Sequence, residues 1–210
     1  MDCIKIRDNI YWVGVLDPEM RIFDIVFRTD HGTTYNSYLI KDKKTALIDT
    51  VKKPFTTEFI SNLKSQIDLK DIDYIIVNHT EPDHSGALLE LLKYAGNAKV
   101  MVSKSGGHLL KNIINVPVDL TIIEDNTVVD LGGCELRFIS APYLHWPDTI
   151  WTYLEKEKIL FTCDSFGSHF CDERMFDDLV GDFDQHFHYY YDSIMRPFKP
   201  HILKAIEKIG

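Results

Sequence analysis

The sequence predicts an α+β sandwich, two sheets with helices on both outer faces. Three observations carry that expectation. Short apolar, β-branched runs recur in both halves of the chain, and each strand-rich half is followed by segments of helical periodicity. No linker or low-complexity stretch divides the 210 residues, a length for which one domain is the default.

Residues 4–7 and 10–15 read as an opening strand pair turned at Asp8-Asn9. Residues 16–34 mix Pro18, Gly32 and charges around an apolar 22–27, part strand and part loop. Residues 36–40 and 45–49 are further strands, and 54–66 carries a helical stripe of Phe55, Phe59, Ile60 and Leu63. Next come a strand at 74–77, a helix over 87–93, a strand at 99–103, a helix over 106–114 and a strand at 120–124. In the second half, 134–140, 150–154 and 158–163 read as strands. A tyrosine-rich helix over 183–195, broken by Pro197, and an amphipathic helix over 200–209 close the chain.

The densest chemistry lies at residues 78–86, Asn-His-Thr-Glu-Pro-Asp-His-Ser-Gly. His79, Glu81, Asp83 and His84 fall within six positions, directly after the buried-strand signature Tyr74-Ile75-Ile76-Val77. A strand end aims alternate side chains at one point, and His79, Glu81 and Asp83 share a parity. Pro82 stiffens the turn, and Ser85-Gly86 open the next helix. A solvated loop rarely gathers two imidazoles and two carboxylates so closely, so metal binding is expected. Two other strand ends carry His145 and Asp164. Each alone would pass for a surface histidine or a turn carboxylate. Each follows an apolar run, so the three loops are expected to reach one edge of the sandwich.

Composition narrows the function classes. Net charge is −9 with no basic tract, which argues against nucleic acid as a partner. No signal-peptide core and no membrane-length apolar run is present, so a cytoplasmic location is expected. Cys3, Cys134, Cys163 and Cys171 form no Cys-x-x-Cys pair and read as reduced thiols.

The pattern His79-x-Glu81-x-Asp83-His84, then His145, then Asp164, resembles the metallo-β-lactamase-like domain of flavodiiron proteins. Four further stretches match: residues 32–40, Leu47-Ile48-Asp49-Thr50, Leu144-His145-Trp146-Pro147-Asp148 and Asp164-Ser165-Phe166-Gly167. The resemblance covers essentially the whole chain and implies the αβ/βα four-layer sandwich of that superfamily. Zinc hydrolases of the superfamily usually carry His where Glu81 stands. A carboxylate makes the site harder and more anionic, which suits iron better than hydrolytic zinc. The resemblance further implies that His79, Glu81 and His145 bind one iron, Asp83 and His84 the other, and that Asp164 bridges them. Such a centre reduces O2 to water or NO to N2O. Asp49 and Asp148 are expected to support ligating imidazoles, and Tyr143, Trp146 and Phe166 to wall the pocket. His169 is a further candidate beside the site.

Two departures from the family pattern go with this resemblance. The family's seventh ligand, a histidine in a Ser-His-Gly-like turn after a further strand, has no counterpart before Gly210, and no phosphate loop of the flavodoxin-like FMN domain is present. His186, His188 and His201 are expected on solvated helix faces and not as substitutes. Three explanations stand: a truncated or fragmentary sequence, one part of a protein completed by another chain, or a degenerate copy. FMN is then expected on a domain or chain absent here, with a flavodoxin-like FMN domain or rubredoxin-type protein as electron donor and a homodimer as the working unit. A zinc-dependent hydrolase and a non-catalytic remnant of the fold remain the alternatives.

Overall fold

Alternate side chains of the central strands enter two different apolar cores and so sort the chain into layers in the computed structural model, which describes residues 3–209. β1 (Ile4–Arg7) and β2 (Ile10–Trp12) form the opening hairpin. β3 (Val15–Asp17) follows, then the short hairpin of β4 (Ile22–Phe23) and β5 (Phe27–Arg28), and β6 (Thr33–Tyr35), which pairs back with β3. β7 (Tyr38–Ile40), β8 (Thr45–Ile48), α1 (Thr56–Gln66) and β9 (Ile72–Val77) come next. The first half ends with α2 (Pro82–Ser85), α3 (Leu88–Leu92), β10 (Lys99–Ser103), α4 (Lys104–Ile114) and β11 (Leu120–Ile123).

These strands make a seven-stranded sheet in the order β1-β2-β7-β8-β9-β10-β11. Its β8 to β11 part is parallel, as the helical connections between successive strands require. A second, antiparallel sheet is built from β12 (Val128–Asp130), β13 (Glu135–Ser140), β14 (Ile150–Leu154) and β15 (Ile159–Phe161). α5 (Asp177–Val180) follows, and α6 (Asp184–Tyr190), a π-helical stretch Tyr191–Met195 and α7 (Lys199–Ile206) cover this sheet.

Alternation sends Leu47, Ile75, Val77, Val100 and Val102 outward to meet Phe59, Leu63, Leu88, Leu91 and Leu110 of the helices. Ala46, Ile48, Ile76 and Met101 point the other way and pack on Leu136, Phe138, Ile150, Leu154 and Phe161 of the second sheet. The outer face of that sheet offers Ile139 and Trp151 to Tyr190, Met195, Ile202 and Ala205. Three apolar interlayers therefore separate four layers, helix, sheet, sheet, helix, as the resemblance implies.

The element expectations hold with local corrections. The strand over 10–15 is broken at Val13-Gly14, where an added Cβ on Gly14 would sit 2.0 Å from the Tyr35 carbonyl oxygen. The strand over 36–40 starts at Tyr38, because Asn36 and Ser37 leave the ladder: Asn36 accepts from the Trp12 indole and the Ser37 hydroxyl donates to Asp49 O. The helix over 87–93 is α3, and a separate short helix, α2, precedes it inside the ligand stretch. Pro82 lacks an N–H and so fits the first turn of α2, whereas Gly86 separates α2 from α3. β12, too short and half-exposed to show a pattern, was not anticipated. Pro197 does not break the last helices apart; it sits in the first turn of a 3-10 stretch, Arg196–Phe198, that joins the π-helical segment to α7.

Phe138 is fully buried between the sheets. Phe138→Ala is expected to destabilise the fold by about 3–5 kcal/mol, read as a lower denaturant midpoint at unchanged slope.

Candidate metal centre

One asparagine fixes where the two sheets end relative to each other. Asn78 follows β9, is fully buried, and accepts at its backbone carbonyl from Ile150 N–H at 2.9 Å. Its amide donates to Phe161 O at 3.1 Å and its side-chain oxygen accepts from the Thr152 hydroxyl at 2.7 Å. Its own N–H donates to Asp49 Oδ1 at 2.7 Å. The ends of β8, β9, β14 and β15 are thereby clamped at one edge, and the loops that leave this edge carry all six proposed ligands.

His79 projects from the first position after Asn78 and is completely buried. Its Nδ1 lies 3.2 Å from both oxygens of Asp148, which turns Nε2 toward Glu81 Oε2 at 3.1 Å and Asp164 Oδ2 at 3.4 Å. Asp148 is itself held, since Oδ2 accepts from Thr80 N–H and the Thr80 hydroxyl, each at 2.7 Å. His145 arrives from the loop between β13 and β14, with Nε2 at 3.1 Å from Glu81 Oε2 and 3.4 Å from Asp164 Oδ2. Asp164 follows β15.

α2 presents Asp83 and His84. The Ser85 hydroxyl donates to Thr80 O at 2.7 Å, and Thr50 donates through both its N–H and its hydroxyl to His84 O. Gly86 is forced by close approach, because an added Cβ would meet Pro82 O at 2.4 Å and Lys53 N at 2.6 Å. His84 Nε2 lies 3.0 Å from Asp164 Oδ1 and 3.6 Å from Asp83 Oδ2, while Nδ1 faces Asp49 Oδ2 at 3.5 Å. Left-handed φ values at Asp49, Tyr143, Cys163 and Phe166 mark the loops around the centre as tightly determined.

Two ligand groups result: His79, Glu81, His145 and Asp164, and Asp83, His84 and Asp164, each with its donor atoms within 4.8 Å of one another. Asp164 belongs to both. Among the described residues Asp83 Oδ1 and Asp164 Oδ2 are buried with no hydrogen-bond partner, so the pair has unmet acceptor capacity that a cation satisfies. The donor set, imidazole plus carboxylate and no thiolate, fits iron.

Electrostatics point the same way. Burial opposes charge on His79, yet Asp148 and Glu81 raise it to about 10. Burial likewise opposes charge on His145, which Asp164 and Glu81 raise to about 9. Burial would lift Glu81, but His145 and His79 bring it down to about 2. Asp83, with burial dominant, is pushed up to about 6. Without a cation, protons on the imidazoles balance the carboxylates; metal ions supply that positive charge in their place.

A cavity of about 440 Å³ opens onto the centre, with Glu81, Asp83, His84, His145 and Asp164 in its wall. Trp146 lines it, edge-on to His79 at 5.2 Å, as do Phe23, His169 and Tyr190. Asp49 and Asp148 each stand beside a ligand imidazole, where the sequence puts them. Tyr143 and Phe166 do not wall this cavity: their rings are about half exposed, Tyr143 lies on His201 at 4.9 Å, and Phe166 lies against Trp151. His186 packs on His31 at 4.6 Å and His188 is exposed, so neither joins a ligand group. Sequence reasoning gave no role to Asn78, Thr80, Thr50 or Ser85. The one signal was their position, polar residues interleaved with the ligands just beyond wholly apolar strands.

Comparison with known proteins agrees with this geometry. A family model described as "ODP family beta lactamase" matches residues 33–207. The chain is 50% identical to Flavo-diiron protein FprA2 of Clostridium acetobutylicum, covering 99% of this chain and 53% of that protein. It is 40% identical to the anaerobic nitric oxide reductase flavorubredoxin of Salmonella arizonae, over 98% of this chain and 44% of the relative. The solved structure of rubredoxin oxygen:oxidoreductase from Desulfovibrio gigas superposes with a TM-score of 0.96 at 32% identity, over 99% of this chain and 53% of that one. The chain thus spans about half the length of these relatives.

Asp148→Ala leaves Thr80 and His79 donors buried without their acceptor. Metal affinity in chelator competition is expected to fall about 10–100-fold, with a stability loss of about 1–3 kcal/mol for each unmet donor.

Proposed function

The chain belongs to the flavodiiron protein family, and from that premise we propose that it is a diiron oxidoreductase domain reducing O2 to water, NO to N2O, or both. The observation that carries the proposal is the pair of ligand groups sharing Asp164, with Glu81 in the position that favours iron. His79, Glu81 and His145 are assigned to one iron, Asp83 and His84 to the other, and Asp164 to both. Residues 1–210 are assigned to one metallo-β-lactamase-like diiron domain.

The iron pair, when bound, supplies electrons to a diatomic gas and Lewis acidity to the reduced product. The protein's part is to hold and exclude. Asp148 and Asp49 orient His79 and His84 from behind, so the ligand nitrogens stay aimed at the centre without reorganisation. Phe23, Trp146 and Tyr190 narrow the cavity to small substrates and limit water around the carboxylates. Reduction of one O2 to two waters consumes four electrons and four protons, and coupling of two NO to N2O and water consumes two of each. These electrons come from FMN, carried on a flavodoxin-like domain outside these residues, or from a rubredoxin-type donor. The names of the relatives, a flavorubredoxin and a rubredoxin oxygen:oxidoreductase, support that supply route. A head-to-tail homodimer in the cytoplasm is the assembly that goes with it. Among the described residues no helix is long and apolar enough to cross a membrane.

Metal analysis after anaerobic ferrous loading is expected to give two irons per chain, one for each ligand group. Asp164→Ala is expected to reduce this to one or none, since it removes a donor from both groups. Two zinc ions retained in preference to iron, with hydrolysis of a generic ester, would overturn the proposal.

A further inference from the structure

Five side-chain polar atoms among the described residues are buried with no protein partner. Four of them belong to residues lining the metal cavity: Asp83 Oδ1, Asp164 Oδ2, Ser168 Oγ and His169 Nε2. Their chemistry divides them. The two carboxylate oxygens only accept and are met by cations. The Ser168 hydroxyl and a ring nitrogen of His169 can donate, and no acceptor of the protein meets them. A cavity that gathers unmet acceptors and unmet donors is complementary to a cation together with a ligand that bears lone pairs.

His169 is the more firmly built of the two donors. Gly32 has φ +70°, and a Cβ there would meet Asp17 O at 2.3 Å, so only glycine delivers Thr33 and Thr34 to this position. Thr33 Oγ1 lies 3.2 Å from His169 Nδ1. Next door, the Thr34 hydroxyl donates to Phe170 O at 2.8 Å and fixes the backbone that carries the ring. Phe23 and Tyr190 confine the ring on its sides, at 4.5 Å and 4.9 Å between centroids. Burial holds the imidazole neutral by lowering it to about 4. One ring nitrogen therefore carries a proton and the other does not.

Two features favour that proton at Nε2 over Nδ1. The Thr33 hydroxyl has no other hydrogen-bond partner and can donate to Nδ1. The negative field of Asp164 and Glu81 favours a positive edge on the ring over a bare lone pair. We propose that His169 is a fixed, neutral hydrogen-bond donor whose Nε2–H engages a small oxygen- or nitrogen-bearing ligand at the metal centre, with Thr33 setting the tautomer. The inference rests on the diiron reading and assigns to His169 the exogenous ligand rather than the metal. A histidine that only fills space between Phe23 and Tyr190 would not discriminate between tautomers, and its replacement by phenylalanine would leave ligand affinity unchanged.

The test has two arms. Nitrogen NMR of the metal-free, histidine-labelled protein is expected to show His169 as the neutral Nε2–H tautomer across about pH 5–8. Azide, a small anion with available lone pairs, is then titrated into the iron-loaded protein and followed by its visible absorption. His169→Phe is expected to bind azide about tenfold more weakly at unchanged iron content, and His169→Gln, which keeps an N–H donor, to recover most of the affinity. An Nδ1–H tautomer, an imidazolium, or wild-type azide affinity in His169→Phe at equal iron overturns the inference. Should His169→Phe not fold, Thr33→Val decides: mixed tautomers with weakened azide binding support it, and no change in either overturns it. Failure of the wild-type protein to hold iron contradicts the diiron reading, and the tautomer of the metal-free protein still decides this one.

Discussion

Burying like charges side by side is the constraint on which the rest of the structure depends. Glu81, Asp83 and Asp164 converge at one largely buried centre together with His79, His84 and His145. Carboxylates at such separations repel, and burial removes the solvent that would screen them. The imidazoles offset part of this, which is why His79 and His145 hold protons so firmly and Glu81 so weakly in the metal-free protein. Asp83 Oδ1 and Asp164 Oδ2 nevertheless accept no hydrogen bond among the described residues, although His79 and His145 face the latter at 3.4 Å. A site assembled at this electrostatic cost is poised for cations. Their binding replaces several mobile protons by two fixed multivalent cations.

Rigidity at the sheet edge makes the convergence possible. Parallel strands β8 and β9 end together, and Asn78 welds that edge to β14 and β15 of the other sheet. The welded edge is then refined by short hydrogen bonds that never touch the metal positions. Asp148 takes two donors from Thr80 while orienting His79, and the Ser103 hydroxyl donates to Asp148 O at 2.7 Å. Ser103 also caps α4 by accepting from Gly106 N–H, so one side chain ties a helix start to the support of a ligand. The glycines at 32 and 86 serve the same end, each occupying a place where a Cβ would collide with backbone. Packing in the three interlayers supplies the stability against which this strained polar edge is held.

Much of this was legible in the sequence, and the reasons differ by element. β9, β10 and β14 are dominated by apolar residues because both faces are covered, and β13 alternates buried with half-buried positions, so all four announce themselves. The candidate ligands were legible because six histidines and carboxylates lie just beyond strand ends, and the structure gathers them into two groups that share Asp164. β12 and the β4–β5 hairpin were not, since strands of two or three residues at a half-solvated edge have no period to detect. The directions of Tyr143 and Phe166 were also hidden. Both take left-handed φ, which turns the side chain away from the face that strand parity suggests. Asn78, Thr80 and Ser85 stood in plain view within the ligand stretch. Asn78 and Thr80 act through β14, β15 and Asp148, 68 to 83 residues away, and contacts of that range leave no local trace, whereas Ser85 only braces the loop it sits in.

The most direct measurement of the central claim is anomalous diffraction at the iron edge from crystals loaded anaerobically with ferrous ion. Two iron peaks are predicted, one among His79, Glu81 and His145 and one at Asp83 and His84, with Asp164 touching both. A single peak, or peaks that appear at the zinc edge and not at the iron edge, would contradict it.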